Sequence, residues 1–167
     1  MIRKYFHQLT TGISFGMTSA VITSLGMIVG LHSATLSKLA VLSGIIIVAV
    51  ADGLSDAAGM HISEESELEK GKIKHSHKEV WVATICTFLS VAGFSLTFAI
   101  PVLIFPLDLA ILVAIAWGIF LLVALNLAIA RIKKESALTL IIEHILLALF
   151  VIVISGYIGN WIPRLLK

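Results

Sequence analysis

Asp52 and Asp56 stand four residues apart inside a long apolar stretch of this 167-residue chain, and the same step leads on to Met60 and Glu64. Residues at that spacing share one face of an α-helix, so a helix here carries a stripe of carboxylate, carboxylate, thioether and carboxylate. An ionisable side chain within a membrane span costs about 2.5–3.5 kcal/mol on insertion scales. No Lys or Arg occurs between Leu39 and Glu69 to offset that cost. Two like charges one turn apart also repel, and a low-dielectric setting disfavours the ionised form of both. The pair is therefore expected to hold a proton or a cation. Carboxylate oxygens with a thioether, and an imidazole nearby, are borderline ligands that suit Fe2+ or Mn2+ better than Mg2+ or Ca2+, which prefer oxygen alone.

Depth sharpens the expectation. At about 1.5 Å per residue, Asp56 lies about 9 Å and Asp52 about 15 Å from a helix end near Ile62. Glu143 lies about 10 Å from the start of its own apolar block by the same rise, which suits a proton carrier. Ser14, Thr18, Thr84, Cys86, Asn126 and His144 fall at comparable depth on four blocks. They are expected to line one polar layer, with Ser14, Thr18 and His144 along the ion path. Asp108, just after Pro106, reads as an N-terminal helix cap.

These side chains need spans to hold them, and the composition supplies them. The chain is 59% hydrophobic and 13% charged, with a mean hydropathy of +1.06, far from the mix of a soluble domain. A hydrocarbon core about 30 Å thick needs about 20 apolar residues per helix. Five blocks qualify, 10–31, 37–62, 79–100, 107–130 and 136–161, with Pro101 and Pro106 bracketing the third turnaround. The expected fold is an all-α integral membrane protein, a single transmembrane domain over 1–167. The first block is too long for the apolar region of a cleavable signal peptide. The lone Cys86 builds no disulfide framework. No nucleic-acid signature, phosphate loop or nucleophile elbow is present, so neither a nucleic-acid partner nor an enzyme is expected.

Lys and Arg mark the cytoplasmic side of a membrane protein. Arg3, Lys4, Lys70, Lys72, Lys74, Lys78, Arg131, Lys133 and Lys134 fall on one side and only Lys38, Arg164 and Lys167 on the other. That places the N-terminus in the cytoplasm and the C-terminus outside. Gly12, Gly16 and Ala20, and then Gly26 and Gly30, form small-residue faces for close helix packing, within one subunit or across a dimer. The loop 63–78 is acidic and, with His61 before it, contains His75 and His77. It reads foremost as a solvated helix extension, with Glu64 and Glu67 placed to receive a cation at the mouth of the path.

With these residues laid out, the chain resembles the vacuolar iron transporter family, relatives of the yeast calcium-sensitive cross-complementer protein and the plant vacuolar iron exporters. The resemblance rests on GISFGMTSAVITSLGMIVG at Gly12 to Gly30 and, more specifically, on ADGLSDAAGMHISEESE at Ala51 to Glu67. Phe15 stands where the family has a first-span acid. Asp56 and Met60 take the places of the family's Met and Glu in reversed order, and the loop is too short for the family's full cytoplasmic metal-binding domain. The resemblance implies a homodimer that exports Fe2+ or Mn2+ from the cytoplasm in exchange for protons, with no bound cofactor and with the path lined by the first and second helices. Asp56 and Met60 carry over as ligands by position, and Asp52 joins them by its shared face. The membrane would be a prokaryotic plasma membrane, or a vacuolar one in a eukaryote. A non-transporting metal sensor or scaffold, or a cation channel without proton coupling, would share the same architecture.

Overall fold

The computed structural model describes residues 5–69 and 72–166; of the charges counted above, Arg3, Lys4, Lys70 and Lys167 lie outside them. It is almost entirely helical, with five helices long and apolar enough to cross a membrane. They are α1 (Phe6–Thr35), α2 (Lys38–Ser66), α3 (His77–Ile104), α4 (Leu107–Lys133) and α5 (Ala137–Leu165). The apolar blocks fall within them to a residue or two, and α1, α2 and α4 run on past their blocks into polar sequence, while α3 continues through the apolar residues 101–104.

α1 is the central element and packs against all four other helices, most closely α3 and α5. Its small residues make this possible. A Cβ on Gly12 would lie 2.8 Å from the Ala83 carbonyl oxygen, and one on Gly16 would lie 2.8 Å from that of Thr87. Gly26 faces Val151 of α5, and Gly159 of α5 lies against the Gly30 backbone. Both glycine faces of α1 are thus consumed within the subunit. Val21, Leu25, Ile28, Val41, Ile45, Leu122 and Phe98 close the apolar core around it.

α2 contains a π-helical turn over Val48–Asp52, where the Gly53 amide reaches back five residues to the Val48 carbonyl. The turn has a visible cause in register. Buried positions Val41, Ile45, Ala49, Gly53 and Ala57 recur every four residues, a step that drifts about 40° per repeat in a regular α-helix. The wider turn takes up that drift at the first acid, as π-bulges at functional positions often do.

Three local expectations are corrected. Pro101 does not end α3, because the chain has already tightened at Phe98, whose amide bonds the Ser95 carbonyl at 3.1 Å, and a last turn follows to Ile104. Asp108 is not a cap: Pro106 occupies that position, and the Asp108 carboxylate instead meets His32 Nε2 of α1 at 3.0 Å. The segment after α2 is not a helical extension beyond Ser66. Leu68–Glu69 (β1) pairs antiparallel with Lys72–Ile73 (β2), and the Lys74 amide closes the hairpin on the Glu67 carbonyl at 3.0 Å. α3 then starts at His77, with Glu79 reaching back to the Ser76 amide at 2.7 Å, the arrangement that satisfies an orphan donor at a helix start.

Candidate functional site

The acid stripe of α2 keeps one face of the helix. Asp52 and Asp56 are half-buried, Met60 and Glu64 buried. The Asp52 carboxylate faces both Asp56 and the side chain of Thr23 on α1. Each aspartate keeps one buried carboxylate oxygen, Oδ2, without a hydrogen-bond partner. Buried polar atoms are normally satisfied, so two adjacent orphans of like charge mark a place where a positive ion or a proton would be strongly favoured. Thr23 was not foreseen from sequence, since a lone Thr in an apolar span carries no periodic signal.

Two turns further along, Glu64 emerges at the end of the bundle where α1 begins. Its Oε2 also lacks a hydrogen-bond partner and lies 3.6 Å from His75 Nε2. That nitrogen is 2.9 Å from Glu67 Oε2, and Lys74 Nζ donates to the other Glu67 oxygen. The hydrogen bonds from Lys74, and then from His75, hold the exposed Glu67 carboxyl below the usual carboxylate range. His75 is therefore buried against α1, and its Nδ1 meets Gln8 Nε2 at 3.2 Å. The other two histidines go elsewhere: His61 bonds Thr84 at 3.0 Å, and both His61 and His77 set their rings edge-on to Trp81.

The remaining expected path residues are spread over several helices. Glu143 is exposed on α5, a helix whose main contacts are with α1 and α4. His144 donates from Nδ1 to the Leu140 carbonyl at 2.8 Å, and Asn126 donates to that of Leu122 at 2.8 Å. Both side chains thus satisfy a donor on their own helix. Ser14 lines a cleft of about 480 Å³ between the start of α1 and the end of α4, together with His7, Thr10, Phe15 and Lys133. Thr18 is half-buried one turn further along α1. The structure thus brings together Asp52 with Asp56, and Glu64 with Glu67, while Glu143 and His144 stand on a different helix pair.

Comparison of the chain with protein-family models, with curated proteins and with solved structures returns no match. The architecture is that of a multi-pass membrane protein: five apolar helices, each of 27 to 30 residues, where about 20 suffice to span the hydrocarbon layer.

Proposed function

We propose that this chain is a transporter that exports a divalent transition metal, Fe2+ or Mn2+, from the cytoplasm in exchange for protons. Asp52, Asp56 and Met60 are its ligands within the membrane, and Glu64 with Glu67 receives the ion at the cytoplasmic mouth. The observation that carries this reading is the pair of orphaned carboxylate oxygens on Asp52 and Asp56, set in a span without Lys or Arg between Leu39 and Glu69. A static structural role would pair these two oxygens with fixed donors, as Thr23 does for the other side of Asp52. An exchangeable cation or proton supplies the charge instead and leaves when the other arrives.

The resemblance to the vacuolar iron transporter family, carried by Gly12 to Gly30 and Ala51 to Glu67, supports the same cargo. The excess of Lys and Arg at the end bearing the hairpin supports an N-terminus inside. Partial exposure of both acids, beside exposed Ile46, Ile47, Val50 and Leu54 on α2, supports a homodimer in which a second copy completes their enclosure. A prokaryotic plasma membrane, or a vacuolar membrane in a eukaryote, would be its setting.

Purified protein in proteoliposomes, loaded with a pH-sensitive dye and given Fe2+ or Mn2+ under a pH gradient, tests this. Metal should enter as protons leave, and Asp56→Asn should abolish both movements while reconstituting normally. No flux from the unmodified protein would leave a sensor or scaffold, and flux without a pH change would leave a channel.

A further inference from the structure

The end of the bundle where α1 begins holds a second constellation, separate from the aspartate pair. One ligand atom each from His7, Glu64 and His75 lies within 4.8 Å of the others. They come from three separate parts of the chain: the first turn of α1, the last turns of α2 and the segment following the hairpin. Glu64 and His75 are 6% and 7% exposed. The His7 ring stacks on His75 at 5.9 Å between centroids, 14° from parallel, and is itself exposed. An ion could reach it from water without opening the protein.

The hydrogen bonding around His75 is what makes this more than a packed histidine. Gln8, 3% exposed, meets Nδ1, and its own Oε1 has no hydrogen-bond partner. The two ends of a side-chain amide have nearly the same shape. With the amide turned over, the orphaned oxygen accepts from Nδ1–H, which orients the ring as an outer-shell partner does for a metal-bound histidine. In that tautomer Nε2 gives up the proton it otherwise donates to Glu67, and its lone pair faces Glu64 Oε2 at 3.6 Å and Glu67 Oε2 at 2.9 Å. A lone pair between two carboxylates is repulsive unless a cation sits among them. Glu64 Oε2, buried and without a hydrogen bond, points to the same place.

We propose that His7, Glu64 and His75 bind one borderline divalent transition ion at the membrane surface, with Gln8 orienting His75 and Glu67 sharing its open side. Two imidazoles and a carboxylate select the Mn2+ to Zn2+ series over Mg2+ and Ca2+. Bound there, the ion ties the start of α1 to the end of α2 and to the post-hairpin segment. The competing account is a plain ion pair in which a proton on His75 is shared by Glu64 and Glu67. The proposal concerns binding alone and stands whether or not the chain transports.

The test uses the full chain, purified in detergent and stripped of metal, carrying Asp52→Asn and Asp56→Asn so that the membrane acids cannot contribute. Co2+ is titrated in and followed by its visible absorption. One Co2+ per chain should bind, with bands of mixed nitrogen and oxygen ligation, and His7→Ala should weaken that binding at least tenfold. His7 is exposed, so its removal leaves the fold in place, and thermal unfolding of the metal-free variant checks this. No Co2+ bound by the double variant, or binding that His7→Ala leaves unchanged, overturns the proposal. Absence of flux in proteoliposomes alongside intact Co2+ binding would defeat the transport reading and leave this site standing.

Discussion

Glu64 Oε2 stands 3.6 Å from His75 Nε2 inside the protein, and Glu64 is the residue by which the acid stripe of α2 reaches the end of the bundle. From Asp52 to Glu64 the helix rises about 18 Å, with Asp56 and Met60 between them on the same face. A cation admitted at Glu64 would have carboxylate or thioether groups spaced about 6 Å apart along its way. The two ends of this stripe should therefore fail differently. With transport as proposed, Glu64→Ala should raise the KM for metal about tenfold while leaving the maximal rate within about twofold, a loss of about 1.4 kcal/mol of binding. Asp56→Asn should abolish the maximal rate. Equal effects on both parameters from both variants would contradict separate entry and transit positions.

The orphaned oxygens of Asp52 and Asp56 carry a stability prediction that does not involve flux. Buried charges without good partners are held against the stability of the fold, and replacing them by groups that need less solvation is often neutral or stabilising. Asp52→Asn combined with Asp56→Asn should raise the metal-free protein's resistance to denaturant in detergent by about 1–3 kcal/mol. A loss of stability instead would mean that the acids have fixed structural donors.

How much of this could be read from the chain divides along a physical line. The five spans and the shared face of Asp52, Asp56, Met60 and Glu64 depend on local periodicity and length, which sequence displays directly. Contacts between distant segments leave no such trace. His75 and Gln8 are 67 residues apart, so the inward turn of His75 emerged only from the fold, and a mixed-charge loop looked merely solvated. The π-turn at Val48–Asp52 was hidden because apolar residues fill the sequence leading up to Asp52. Glu143 was judged by depth alone, and depth does not say which way a helix faces.

The glycine face of α1 provides a sharper packing test. A Cβ at position 16 would fall 2.7 Å from Ser90 Cβ and 2.8 Å from the Thr87 carbonyl oxygen, so α1 and α3 would have to separate. Gly16→Ala should destabilise the protein by about 1–3 kcal/mol, as overpacking does. Gly93 lies on the same partner helix, and a Cβ there would meet nothing within 4 Å. Gly93→Ala should be neutral or stabilise by up to about 1 kcal/mol, the helix-propensity difference. Denaturant unfolding of the two variants in one detergent measures both, and similar losses from both would remove the argument for close approach at Gly16.

The hairpin should show a defined pH response. Lys74 and His75 hold the Glu67 carboxyl below the usual carboxylate range, so the folded state binds that proton less readily than the unfolded chain. The stabilisation is full above the ordinary Glu range and disappears as pH falls through the depressed folded value. The carboxyl carbon resonance of Glu67 in labelled protein should therefore titrate below the usual Glu range. In Lys74→Met the midpoint should move upward, since the largest contributor is gone. An unchanged midpoint in that variant would show that the Lys74 contact does not persist in solution.

Met60 separates packing from ligation most cleanly. Its side chain is 9% exposed, one helical turn from Asp56, and its thioether is the soft member of an otherwise oxygen-bearing stripe. Leu fills nearly the same volume, and such an exchange usually costs less than about 1.5 kcal/mol. Met60→Leu should accordingly fold and reconstitute like the unmodified chain. If the sulfur ligates, removing it should weaken Fe2+ more than the harder Mn2+, lowering the ratio of Fe2+ to Mn2+ uptake several-fold in competition assays. A ratio that does not move in a well-folded Met60→Leu protein would reduce Met60 to an apolar spacer and leave selection to the two aspartates.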